Sequence, residues 1–208
     1  MRWVALASLV AAGVGLAVFW GDVPDRWITH WGVHGADGWA TKSGANAAIP
    51  LGIGLAAWIL FDVLAFATTR SAAGFPREMM AVVATVVRAA GLGIALACAG
   101  LALALPLLQP RSATPIAVGV PVVIGVVIGT AMVWAWRQTR RLRAAGVALP
   151  EGYTGVFYKN PRDARLWVPK VTGLGWTLNF AHRRAWPVMI SLIGVPVALA
   201  ILIQRLAH

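Results

Sequence analysis

The sequence predicts an all-α membrane protein, a five-helix transmembrane bundle with a small cytoplasmic β-hairpin module before the last helix. Three observations lead there. Of 208 residues, 59% are hydrophobic and only 12% charged, against roughly 25% charged in soluble domains, so the chain cannot cover a water-facing surface. Its mean hydropathy is +0.74, and its apolar residues cluster in runs close to the ~20 residues that cross a bilayer. Lysine and arginine are concentrated in a few connecting segments, as the retention of cationic loops in the cytoplasm requires.

The first predicted span is Trp3 to Trp20. A cleaved signal peptide competes for it, with Arg2 as the n-region, but the following "VFWGDVPD" is bulky and acidic and offers no small-residue cleavage site. An uncleaved helix is the expectation. The second span is Ala47 to Thr68, with Pro50 near its start, where proline is tolerated. The third lies within Met79 to Leu108, longer than one crossing needs, so it tilts or begins as an interfacial turn. The fourth is Ile116 to Trp136 and the fifth Trp186 to Ile203. Trp3, Trp20, Trp134, Trp136 and Trp186 fall at the span ends, where amphipathic rings meet headgroups. "GVVIG" sets Gly125 and Gly129 on one helix face and "GLGIALACAG" lines the third helix with small residues, which suits close helix packing or a homo-oligomer. Cys98, the single cysteine, can form neither an internal disulfide nor a cysteine-based zinc site and reads as a small packing residue.

Charge sets the orientation. The segment Arg137 to Arg184 holds ten basic and two acidic residues, whereas Gly21 to Asn46 has three acids against Arg26 and Lys42. An N-inside, C-outside arrangement in a bacterial cytoplasmic membrane satisfies both. The domains are then a four-helix region over residues 1–136 including an extracytoplasmic loop at 21–46, a basic cytoplasmic module at 137–185, and a fifth helix at 186–208. The net charge of +11 follows from this topology. Membrane lipids, rather than nucleic acid, are the expected partners of "RQTRRLRAAG".

Asp62 and Arg88 fall inside the second and third spans, where a lone charge costs about 2.5–3.5 kcal/mol on insertion scales. Helical rise puts both at similar heights, roughly 9 to 14 Å from the cytoplasmic interface. An intramembrane ion pair is the expectation, with snorkelling and an ion pathway as the other readings.

Two polar modules remain. In the cytoplasmic one, Asn160-Pro161 and Asp163 read as a turn before two strands, "ARLWVPK" and "WTLNF", joined through "VTGLG". In "WTLNF", Trp176, Leu178 and Phe180 would share one face, and Thr177 and Asn179 the other. In the outer one, "PDRWITHWGVHGADGWATK", the residue types of His30, His34 and Asp37 would suit zinc or copper, but three ligands without a fourth fall short of a closed site. Acid–base chemistry by His30 with Asp25 or Asp37 lacks a nucleophile. No cofactor and no enzymatic activity are expected. Gly32, Gly35 and Gly38 favour a loop, with His30 and Asp37 holding turns and Trp27, Trp31 and Trp39 against the headgroups.

The outer stretch resembles the bacterial membrane family called domain of unknown function 1648 at Pro24, Arg26, His30, Trp31, Gly35, Asp37, Gly38, Trp39 and Lys42. His34 is not part of that pattern. The stretch from Asn160 is similar to domain of unknown function 5808 at Asn160, Pro161, Asp163, Arg165, Val168, Pro169, Lys170, Gly173, Gly175, Trp176, Thr177, Asn179 and Trp186. Relatives of this kind include the Sdp-type immunity proteins, which protect a producing cell from its own toxic peptide and can hold a repressor at the membrane. The resemblance implies a sensor or immunity protein. Pro24, Arg26, His30, Trp31, Asp37, Trp39 and Lys42 would then face an extracytoplasmic peptide, and the module carrying Asn160, Asp163, Arg165, Lys170, Trp176 and Asn179 would face a cytoplasmic regulator. The alternative is a transporter or channel subunit using Asp62 and Arg88.

Overall fold

The computed structural model describes residues 2–32, 35–70, 75–109, 114–148, 150–154, 157–170 and 175–206. Its helices are α1 (Arg2–Val18), α2 (Gly44–Arg70), α3 (Arg77–Leu103), α4 (Thr114–Ala144) and α5 (Ala185–Leu206). Among the described residues, three helices are long and apolar enough to cross a membrane: α2, α3 with its continuation to Leu108, and α4. α1 is a shorter apolar helix, and α5 runs for 22 residues.

The chain forms two compact units, Met1–Ala67 with Ala84–Trp134, and Thr68–Val83 with Ala135–His208. In the first, α3 is the inner helix. Ala84, Ala89, Ala95, Ala97, Cys98, Ala99 and Ala102 are all buried along it, because small side chains let neighbouring backbones come close. A Cβ at Gly91 would lie 2.7 Å from Cβ of Phe61, and one at Gly54 would lie 2.9 Å from Cβ of Cys98. By contrast, a Cβ at Gly125 or Gly129 would meet nothing within 4 Å, so within the chain the tight glycine seam belongs to α3. The outward faces of α2 and α4 stay apolar, with Ile49, Ile53, Leu60, Val63, Val118, Val122 and Val126 exposed. A helix apolar all round suits lipid and not water.

α2 begins at Gly44, three residues before the sequence-based boundary, because the Ser43 hydroxyl accepts from the Asn46 backbone N–H at 3.2 Å as an N-cap. Pro50 therefore sits in the second turn rather than the first. α3 is continuous from Arg77 and ends in a π-helical turn (Ala104–Leu108) stopped by Gln109 in the left-handed conformation at φ 42°. Its extra length is packed: Met79 and Met80 are fully buried in the second unit. α4 runs on through the basic run to Ala144, beyond the predicted end at Trp136. Arginine and leucine are good helix formers, and no breaker lies between Trp136 and Gly146.

Between α1 and α2 lies a two-stranded antiparallel hairpin, β1 (Arg26–Gly32) with β2 (Gly35–Thr41). This corrects the expectation of a loop. The second unit carries β3 (Tyr153–Thr154) against β4 (Phe157–Tyr158), then β5 (Trp167–Pro169) against β6 (Trp176–Leu178), each pair antiparallel.

Candidate functional site

The β1–β2 hairpin is fixed at its base. Trp27 is 2% exposed and packs with Leu16, Val23, Ala47 and Ala102, so it is a core anchor and not a headgroup-facing ring. The Lys42 ammonium donates to the Val23 carbonyl at 2.6 Å and lies 5.4 Å from the centroid of the Trp20 ring. Its backbone N–H donates to the Asp25 carbonyl at 2.7 Å, closing the base of the hairpin. Asn46 completes the joint by donating to the Thr41 carbonyl at 2.9 Å.

Register explains the glycines. Ile28 pairs with Trp39 and His30 with Gly38, leaving Thr29 as an extra residue; Trp31 then pairs with Ala36, leaving Asp37 as a second. A Cβ at Gly38 would lie 2.6 Å from Cβ of His30, so glycine is required opposite the histidine. The irregularity on β2 brings Asp37 to His30, whose Nδ1 lies 2.5 Å from the Asp37 carboxylate. That pair is exposed, as are Arg26 and Trp39, while Pro24 and Trp31 are half-buried. The Trp31 indole N–H is buried without an acceptor among the described residues. His34 lies outside the described residues, and among those described no three of His, Cys, Asp and Glu gather for a metal.

Beneath the hairpin an apolar groove of about 410 Å³ opens between α1 and α2, lined by Gly13, Leu16, Ala17, Trp20, Gly44, Ala47, Ala48 and Leu51. Its size is within the range of small-ligand clefts. Trp20 joins the groove to the hairpin, lining the one and stacking with the lysine of the other.

A second constellation joins three helices. Arg88 Nε lies 2.9 Å from Asp62 Oδ1, and Arg2 Nε lies 2.8 Å from the same oxygen. Sequence reasoning missed Arg2, which entered only as the n-region of a competing signal peptide; its signal was helical rise, which sets the start of α1 level with Asp62.

The third is the module ahead of α5. Asn179 is completely buried. Its Oδ1 accepts from the backbone N–H groups of Asn160 (3.0 Å) and Ala181 (3.1 Å), and its Nδ2 donates to the carbonyls of Asn160 (2.9 Å) and Asp163 (2.8 Å). Every donor and acceptor of the amide is used. Asp163 receives the Arg165 guanidinium at 2.8 Å and the Tyr158 hydroxyl at 2.8 Å. The side chain and backbone of Arg165, together with the Tyr158 hydroxyl, hold the Asp163 carboxyl well below the usual carboxylate range. The Arg165 guanidinium is pushed up by the same pair. Burial first, then its bond to Asp163, raises Tyr158 above the ordinary phenol value. Tyr153 donates its hydroxyl to the Pro169 carbonyl at 2.6 Å and receives the Arg143 guanidinium on its own carbonyl. It also stacks edge-on between Phe75 and Tyr158. Trp176 is 62% exposed and Lys170 is exposed as well. Leu178 and Asn179 are both buried although they point to opposite faces of the predicted strand, because the chain leaves β6 after Leu178 to bridge Tyr158.

Residues 161–186 match the family of unknown function DUF5808, from the turn after Asn160 to the start of α5. No curated protein and no solved structure matches the chain. The family match leaves residues 24–42 uncovered, and the comparisons do not show the likeness of that stretch to domain of unknown function 1648 or to Sdp-type immunity proteins.

Proposed function

We propose that this chain is a non-enzymatic multi-pass protein of the bacterial cytoplasmic membrane that senses, or confers immunity to, an extracytoplasmic amphiphilic ligand such as an antimicrobial peptide. In this reading all five helices cross the membrane, the N-terminus is inside and the C-terminus outside. The observation that carries it is the pairing of a fixed, polar hairpin with an apolar groove at its root. His30, Asp37, Trp39 and Arg26 would meet the polar part of the ligand and the groove its apolar part. The support is physical: Trp27 and Lys42 hold the hairpin before any ligand arrives, so little ordering entropy is lost on binding. The basic module, with Lys170 and Trp176 exposed, would face a cytoplasmic regulator. The open Gly125–Gly129 face of α4 would serve a homo-oligomer.

Asp62 suits a structural tie better than an ion carrier, since two guanidinium groups already occupy one of its oxygens. The ligand reading is tested by challenging a deletion strain with a panel of membrane-active peptides. Wild-type chain should restore resistance to at least one, and Ala48→Phe, which fills the groove, should not. Equal protection by both would sink the groove as the binding site.

A further inference from the structure

We propose that Arg2 and Arg88, held on Asp62, form a clamp for the phosphodiester of an anionic phospholipid in the cytoplasmic leaflet. The first support is depth. At ~1.5 Å per residue, Arg2 lies about 24 Å from Val18, Asp62 about 27 Å from Gly44, Arg88 about 30 Å from Leu108, and Trp134 about 30 Å from Thr114. Leu16, Ala47 and Ala102 meet around Trp27, and from that shared level Arg2, Asp62 and Arg88 lie about 21 to 23 Å along their helices. A hydrocarbon layer about 30 Å thick that starts at the nearby ends of α1 and α2 therefore ends about 5 Å beyond the triad, within the reach of an arginine side chain. In this reading the cluster sits nearer the inner headgroup boundary than the roughly 9 to 14 Å expected from the sequence.

Charge and donors supply the rest. Two arginines against one carboxylate leave one positive charge, which one phosphodiester neutralises. Each guanidinium carries five N–H donors, and among the described residues the only acceptor each meets is Asp62. The Arg88 side chain is 27% exposed and that of Arg2 53%, so donors of both remain open to a ligand. The cleft between them, lined by Arg2, Trp58, Asp62 and Arg88, is only about 10 Å³, so a phosphodiester would sit on its rim. Asp62, by taking both Nε atoms on one oxygen, fixes the two planar forks side by side. Its place in the cytoplasmic leaflet rests on the N-inside reading proposed above, and the clamp is independent of the extracytoplasmic ligand.

The full chain, purified in maltoside detergent, is titrated with phosphatidylglycerol or phosphatidylcholine and bound lipid is counted by native mass spectrometry. One phosphatidylglycerol should be retained with roughly tenfold preference, and Arg2→Gln with Arg88→Gln should abolish that preference. Arg162→Gln, on the exposed module, should leave it intact. If the double variant fails to fold, Arg2→Gln alone reads the same claim, since this residue is half-exposed at a helix start and should still weaken the preference several-fold. Equal retention of the two lipids, or undiminished preference in the arginine variants, overturns the clamp. Displacement of the lipid by millimolar inorganic phosphate would overturn the lipid assignment in favour of a free-phosphate site.

Discussion

Asn179→Ala is the most decisive perturbation of the module. It removes four hydrogen bonds made by a fully buried amide. Each is worth about 1 kcal/mol net, so the loss is about 4 kcal/mol if the stranded groups stay dry, and about half that if water enters the vacated space. At 1.4 kcal/mol per decade, local protection should fall by roughly 1.5 to three orders of magnitude. The assay is amide hydrogen exchange of the full chain in detergent, read at Asn160 and Ala181, whose N–H groups bond to Oδ1. Asn179→Asp sharpens the result. It keeps the acceptor for those two amides but turns an oxygen toward the carbonyls of Asn160 and Asp163, so it should also loosen the turn. Unchanged protection at Asn160 and Ala181 in the alanine variant would refute the assignment of Asn179 as the hub.

Trp27→Ala should cost about 3–5 kcal/mol of hairpin anchoring and should speed tryptic cleavage after Arg26 and Lys42, while Gly38→Val should do so through the clash with His30. Asp62→Ala should depress yield and thermal stability far more than Arg2→Ala, because it strands two guanidinium groups at the hydrocarbon edge, a loss on the order of 3 kcal/mol. The Asp163 carboxyl is held below its ordinary value of 3.8 in the folded module. Its contribution is therefore complete above that pH and is lost as pH falls through the folded value; tryptophan fluorescence of the module should be flat near neutrality and change below about pH 4, and Asp163→Asn should remove that acid transition. Tyr158 acts in the opposite sense. Its raised value means that its contribution is present below 10.0 and lost as pH rises further.

Helix positions were legible because apolar runs and breakers set them, and the module's second hairpin because turn residues at Asn160, Pro161 and Gly175 punctuate a period-two pattern. The outer hairpin was not. Gly32, Gly35 and Gly38 read as loop residues, yet Gly38 is there to make room for a cross-strand histidine, a contact that appears only once the register is known. Trp27 looked like its neighbours Trp31 and Trp39 because residue type does not reveal which face a bulged strand buries. The Arg2–Asp62 contact spans 60 residues, with the whole β1–β2 hairpin between, so no local pattern carries it. The β3–β4 pair escaped notice because each strand is two residues long.

The central proposal is that the hairpin and the basic module face opposite sides of one membrane. Single cysteines at Thr29→Cys, in the hairpin, and Arg162→Cys, in the module, placed in a Cys98→Ala background, test it with a membrane-impermeant maleimide. Thr29→Cys should label in intact cells, and Arg162→Cys only after permeabilisation. Labelling of both from outside, or of Arg162→Cys alone, would contradict the account.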